Sequence, residues 1–368
     1  MAMVFVLPKL VFGSGCLASL SVELGAARAL LISDRGIERA GLVAKVAAAA
    51  NFSATFLDVP ENPTIAGADA ALAAFRNDKC NVIVALGGGS VLDTAKLVAA
   101  AAGTGCASTG ELLGRPDAVR AVAMLIAIPT TVGTGSESSP VAALHRDPQA
   151  PAIGTRSLML VPHVALCDPD LVSTLPPRLI AATAVDALSH CIEGYFANPT
   201  HPLIDALALD GIARVVANAA AAMIPDGPEG PEARASLMAA AFAGGAAIHK
   251  GLGPAHAIAL VCGDQDIHHG TLVAIALPST TALLARHVPA KGARVRAAMG
   301  LAADANLGDF LREFIHSLGL PDTLAAAGYR FDDSDALVRD MVASHFNRTS
   351  PYAPSHADYA ALLKGMRR

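Results

Sequence analysis

Charge is the scarce commodity in this chain. Asp, Glu, Lys and Arg make up 16% of its 368 residues against 53% hydrophobic residues, which excludes a disordered segment. With 27 basic and 32 acidic residues the net charge is -5, so there is no basic face for a nucleic acid. No apolar stretch runs far enough without interruption to serve as a membrane span: Asp93 and Lys96 break one, His249 and Lys250 another. The N-terminus, MAMVFVLPKLVFGSG, has neither a basic leader nor a signal-like cleavage pattern, so export is not expected. Six cysteines (Cys16, Cys80, Cys106, Cys167, Cys191, Cys262) lack any CxxC pairing and read as reduced thiols of a cytoplasmic protein. Internal repeats and low-complexity tails are absent too.

What is present is an ordered alternation. ARALLISD (27 to 34), GLVAKVAAAA, SATFLDV, ADAALAAFRND, NVIVALGGGS and DTAKLVAAAA form a β-α-β-α-β-α series, and AMLIAIPTT and LVPHVALCDP add apolar strands. Short strands separated by helices of this length predict a parallel sheet with helices on both faces. After Pro176 and Pro177 strand signals stop, and the pattern is helical through RLIAATAVDALSHCIEGYFA, PLIDALALDGIARVVANAAAAM and PEARASLMAAAFAGGAAIHKG. A chain of this length divides into about two domains. The expected boundary separates an α/β dinucleotide-binding domain (1–175) from an all-helical, metal-binding domain (176–368).

Asp186 and His190 lie four residues apart in that first helix, so carboxylate and imidazole emerge on one face, one turn apart. A buried carboxylate needs a partner, and a divalent cation is one of the few that fits. His256 and His269 follow in surroundings equally poor in charge, with His249 and His268 as alternatives to them. A lone histidine there is more often a neutral core residue, but four candidates containing a helical pair make coincidence a poor account. One carboxylate with three neutral imidazoles suits Fe²⁺ or Zn²⁺.

NVIVALGGGSVLDTAK (81 to 96) carries an apolar strand into three glycines and a helix. Glycines let a pyrophosphate approach the backbone, and the N–H groups of the helix start point at its oxygens; the plainer reading is a tight βα turn without a ligand. Asp34 ends another strand, where a carboxylate accepts ribose hydroxyls and repels a 2′-phosphate, favouring NAD over NADP. IPTTVGTGSE (128 to 137) and Asn62 in ENPT also follow strands, at the carboxyl edge where open parallel sheets bind ligands. A metal beside a nicotinamide suggests hydride transfer between an alcohol or aldehyde carbon and nicotinamide C4.

GGGSVLDTAK, PTTVGTGSE, CDPDL, AVDALSHCIEGY and NPTHPLIDALAL together make the chain resemble the iron-containing (group III) alcohol dehydrogenase family over nearly its whole length. The resemblance implies the dehydroquinate synthase-like fold of that family, a Rossmann-like N-terminal domain followed by a helical one, and a homodimer. It implies metal ligands Asp186, His190, His256 and His269, and cofactor contacts at Asp34, Asn62, Gly88, Gly89, Ser90, Asp93, Thr130, Thr131, Thr134 and Leu171. The chain also departs from the family pattern. Leu260 stands where a histidine usually follows the third ligand, His268 replaces a proline, and the stretch before His269 is one residue short and carries Asp264 and Asp266. With no dedicated base at Leu260, the proton is expected to leave through the substrate oxygen, ribose hydroxyls and water.

The expected function is therefore metal-dependent oxidoreduction between NAD(H) and a small alcohol or aldehyde. A maleylacetate reductase-like reduction of an acidic keto substrate needs cations, for which Lys250 and a few arginines are available. A carbocycle synthase acting on a phosphorylated acid needs more lysine than the helical half holds, at 250, 291 and 364. A non-catalytic nucleotide-binding dimer would not be expected to keep a buried Asp186/His190 pair.

Overall fold

The computed structural model describes residues 4–148, 150–224, 227–265, 267–331 and 334–367. The chain forms two compact units, one of residues 4–131 and 135–175, the other of residues 132–134 and 176 onward.

In the first unit the elements are β1 (Lys9–Phe12), α1 (Leu20–Leu24), β2 (Ala29–Ile32), α2 (Arg35–Arg39), α3 (Leu42–Ala49), β3 (Ala54–Phe56), α4 (Ile65–Asn77), β4 (Val82–Gly87), α5 (Gly89–Thr104), β5 (Met124–Pro129), β6 (Val141–His145), β7 (Ala152–Arg156) and β8 (Val164–Cys167). Six strands make one sheet in the order β1-β8-β5-β4-β2-β3, every pair parallel. Alternate residues of a strand face opposite sides. Leu31, Val82, Val84 and Leu86 accordingly pack with Leu20, Leu42 and Val46 on one face, while Leu30, Ile32, Ile83 and Ala85 pack with Leu72, Phe75, Val91 and Leu92 on the other. Burial on both sides is why VIVALG and ALLI read as unbroken apolar runs rather than alternating ones.

Three strands escape that sequence pattern. β1 lies at the sheet edge with Leu10 and Phe12 exposed, and β6 and β7 form an antiparallel pair after the IPTTVGTGSE loop. Asp168, of CDPDL, joins two distant segments: its Oδ1 accepts the Gly15 N–H at 3.1 Å and its Oδ2 the Leu17 N–H at 2.9 Å.

The second unit contains α6 (Pro177–Phe196), α7 (Pro202–Ala222), α8 (Gly230–Ala247), α9 (Pro254–Val261), α10 (His269–His287), α11 (Pro289–Ala298), α12 (Leu307–Ser317), α13 (Ser334–Ala343) and α14 (His356–Met366). None of the described helices is long and apolar enough to cross a membrane. α6 is buried on every face from Ile180 to Phe196. Small residues allow the close approach: a Cβ on Gly194 would sit 2.6 Å from Ala247 Cβ of α8, and one on Gly211 of α7 would sit 2.5 Å from Cys191 Sγ. The C-terminal carbonyls of α6 lack intrahelical partners. Lys291 Nζ supplies hydrogen bonds to Tyr195, Phe196 and Ala197 carbonyls at 2.9, 3.0 and 2.9 Å, a cation at the negative end of the helix dipole.

Candidate functional site

The helical period puts Asp186 and His190 on one stripe of α6, and folding of the unit brings two further imidazoles to them. His256 comes from the first turn of α9 and His269 from the first residue of α10. The three Nε2 atoms of His190, His256 and His269 lie 3.7, 3.9 and 3.8 Å from one oxygen, Asp186 Oδ1. Ligand atoms of Asp186, His190 and His256 all fall within 4.8 Å of one another. Ligands held tetrahedrally on one ion at ordinary bond lengths stand about 3.4 Å apart, so the three distances to Asp186 Oδ1 are near those of a loaded site, while His269 lies outside the mutually close group of three. His268 is the residue before α10, and its ring is near enough to act on the Asp186 charge. Asp266 lies outside the described residues.

The chemistry of the donor set fits a divalent cation. Asp186 Oδ1 and His256 Nε2 are buried without a hydrogen-bond partner, an expensive state for polar atoms unless something joins them. Burial works against the Asp186 carboxylate, and the surrounding imidazoles outweigh it, holding the group below its ordinary range. Burial lowers the His190 imidazole, with Asp186 opposing. An ionised carboxylate beside neutral imidazoles is the protonation state that metal ligands need. His269 differs from the others in exposure: 53% of its side chain is open to solvent, against 7% and 3% for His190 and His256.

Glu193, which the sequence analysis passed over, stands beside these residues. One turn past His190, it is buried and accepts hydrogen bonds from Gly253 N–H, Ala255 N–H and the His256 ring, the last at 2.6 Å. The signal was present: 186, 190 and 193 share a helix stripe, and a carboxylate in so apolar a helix needs partners.

At the carboxyl edge of the sheet the expected cofactor residues fall at successive strand ends. Gly88 precedes α5, and a Cβ there would stand 3.1 Å from Thr131 Cγ2, so two of the expected loops are in contact. Gly89 begins α5, and the Ser90 hydroxyl ties that first turn to the Glu61 carbonyl, next to the exposed Asn62. Thr130 Oγ1 is buried and unpartnered. Asp34 caps α2 through its Oδ1, which accepts the Ile37 N–H at 2.9 Å. Leu171 is buried with its side chain in the sheet's core cluster, and Thr134 belongs with the helical unit.

Asp93 has partners inside the protein for both oxygens: Ser136 Oγ at 2.6 Å and Ala143 N–H at 2.9 Å. With buried Lys96, whose Nζ donates to the Ser139 and Val141 carbonyls at 3.0 and 2.9 Å, it holds the segment after β5 against α5. Lys250 is equally committed. It pairs with Asp205 and donates to the Tyr195 carbonyl at the end of α6, which corrects its reading as a cation available to an acidic substrate.

Comparison with known proteins decides the family. A model described as iron-containing alcohol dehydrogenase matches residues 8–169, and one for the C-terminal part of the Fe-containing alcohol dehydrogenase family matches residues 180–366. The chain belongs to the iron-containing alcohol dehydrogenase family. It is 34% identical to a 4-hydroxybutyrate dehydrogenase of Cupriavidus necator over 99% of each chain. It is 28% identical to an NAD-dependent methanol dehydrogenase of Bacillus methanolicus over 98% of each. A solved 1,3-propanediol oxidoreductase superposes with a TM-score of 0.92 over 99% of each chain at 26% identity. Like other iron-containing alcohol dehydrogenases, this protein is an alcohol/aldehyde oxidoreductase that uses NAD and iron. The readings as a maleylacetate reductase-like enzyme and as a non-catalytic dimer are not favoured.

Proposed function

We propose that Asp186, His190, His256 and His269 hold the catalytic cation, and that hydride passes between NAD(H) and a small primary alcohol or its aldehyde there. The observation that carries this reading is the single buried, unpartnered oxygen of Asp186 ringed by three Nε2 atoms. Bound there, the cation supplies the Lewis acidity that polarises a substrate C–O bond. Asp186 contributes the one negative charge of the ligand set, and the exposed edge of His269 leaves the substrate its approach. Leu260, one turn past His256, offers no proton acceptor, so the proton leaves through the substrate oxygen, ribose hydroxyls and water.

For the dinucleotide, the backbone of Gly88 and Gly89 and the start of α5 take the diphosphate. Ser90, Asn62, Thr130, Thr131 and the Leu171 backbone line its course. Asp34 uses its second oxygen for ribose hydroxyls, selecting NAD. Asp93 acts by shaping the loop. The protein works as a cytoplasmic homodimer. The Cupriavidus relative makes 4-hydroxybutyrate the first substrate to try. The test is a screen of Fe²⁺- and Zn²⁺-loaded protein on short alcohols, 4-hydroxybutyrate, their aldehydes and keto acids, followed by NADH fluorescence. Elemental analysis of wild type and Asp186→Asn accompanies it. Turnover on alcohols or aldehydes with metal lost in the variant is expected; equal metal content in both proteins would refute the ligand set.

A further inference from the structure

Glu193 has three nitrogens aimed at its two oxygens, two backbone N–H groups and a histidine ring nitrogen. Oε1 accepts the Ala255 N–H at 2.7 Å, and Oε2 takes the Gly253 N–H at 3.0 Å and faces His256 Nδ1 at 2.6 Å. A carboxylate accepts on both oxygens and can take all three. Two of the nitrogens belong to the start of α9, where the capping residue is Gly253 and has no side chain to offer. A Cβ at that position would stand 3.0 Å from Glu193 Oε1, so glycine leaves the carboxylate room to reach in. The third nitrogen decides chemistry. A neutral imidazole that donates from Nδ1 carries its lone pair on Nε2, and His256 Nε2 is the buried atom that faces Asp186 Oδ1 at 3.9 Å.

We propose that Glu193 is the positioning residue of the metal centre. It locks His256 in the Nδ1–H tautomer, aims Nε2 at the cation, and anchors the first turn of α9 so that the ligand is in place before the ion arrives. This rests on the ligand set proposed above. α6 thereby carries two ligands and the orienter of a third on one stripe, at 186, 190 and 193, and any shift of that helix moves all three together.

Glu193→Gln tests it. A glutamine amide has one acceptor and one donor end, so every orientation sets an N–H against His256 Nδ1–H or a backbone N–H of α9. Affinity for Fe²⁺ and for Zn²⁺, measured by chelator competition, is expected to fall about 10- to 100-fold. In the ¹⁵N-labelled metal-free protein, His256 is expected to change from a single Nδ1–H tautomer to a mixture. Lys291→Met is the control, because it removes three hydrogen bonds at the C-terminal end of the same helix, just beyond Glu193, without touching His256. It should lower Tm and leave metal affinity within twofold. Equal affinity in Glu193→Gln and wild type, or an affinity loss in Lys291→Met as large as that in Glu193→Gln, would overturn the proposal. An Nε2–H tautomer in the metal-free wild type would overturn it without any variant. Wild type that binds neither ion would refute the ligand set, and Glu193's role with it.

Discussion

Gly194 follows Glu193 on α6, and replacing it with alanine sets two known effects against each other. Helix interiors favour alanine over glycine by about 0.5–1 kcal/mol, so the local effect is stabilising. The packing effect has the opposite sign. The new methyl would lie 2.6 Å from Ala247 Cβ, 2.8 Å from the Ala247 carbonyl oxygen and 2.9 Å from its carbon. Unstrained carbon contacts need about 3.5–4.0 Å, so α6 and α8 would have to separate by about 1 Å along this line. Two of the three crowded atoms are backbone in the last turn of α8, where no rotamer change relieves them. Overpacking of this kind costs about 1–3 kcal/mol, occasionally more, and outweighs the propensity gain. A net loss of about 1–2 kcal/mol lowers Tm by roughly 2–8 °C for a unit of this size. Because α6 also carries Asp186 and His190, the same displacement should weaken metal binding. Calorimetry on the metal-free protein reads the first effect and chelator competition the second. A Gly194→Ala protein that melts at or above the wild-type temperature would show that the helices are not held at this distance by packing.

Other perturbations have equally definite signs. Burial raises the Glu137 carboxyl from 4.5 to about 7, with its own backbone N–H and Lys96 opposing. A group protonated more readily in the folded state stabilises fully below the unfolded pKa and loses that contribution as pH rises through the folded one. Wild type should therefore lose stability between pH 4.5 and about 7, whereas Glu137→Gln should show a flatter profile, diverging by up to about 3 kcal/mol at pH 7.5. Superimposable urea midpoints across that range would contradict it. Lys96→Met strips the Ser139 and Val141 carbonyls of their donor and leaves Asp93 and Glu137 without a counter-charge. The expected cost is about 3–5 kcal/mol by denaturant titration, and a loss below about 1 kcal/mol would contradict the charge-balancing role. Stripping the metal with a chelator should lower Tm, and Zn²⁺ at about 100 times its Kd should restore about 2.7 kcal/mol in wild type. The same addition should restore almost nothing in Asp186→Asn, and equal recovery would count against Asp186 as a ligand.

The features legible in the sequence are those whose cause is local. The Asp186/His190 pair announces itself because the helical period alone places both on one face, and β2 and β4 do because strands buried on both sides must be apolar throughout. The edge strand β1 and the β6–β7 pair lack that signature, because they keep exposed and half-buried residues along their length. What remained hidden depends on partners far along the chain. Nothing near Lys250 indicates that its Nζ belongs to Asp205, 45 residues earlier, and nothing near Glu193 indicates Gly253, Ala255 and His256, some sixty residues later. In so apolar a chain that dependence is itself informative. Desolvation makes every buried charge costly, so each must end in a specific long-range pairing or in a site. Asp93, Lys96 and Lys250 have protein partners. Asp186 Oδ1 has none and is ringed by three imidazole Nε2 atoms, and that surrounding separates the carboxylate that builds the fold from the one that waits for a cation.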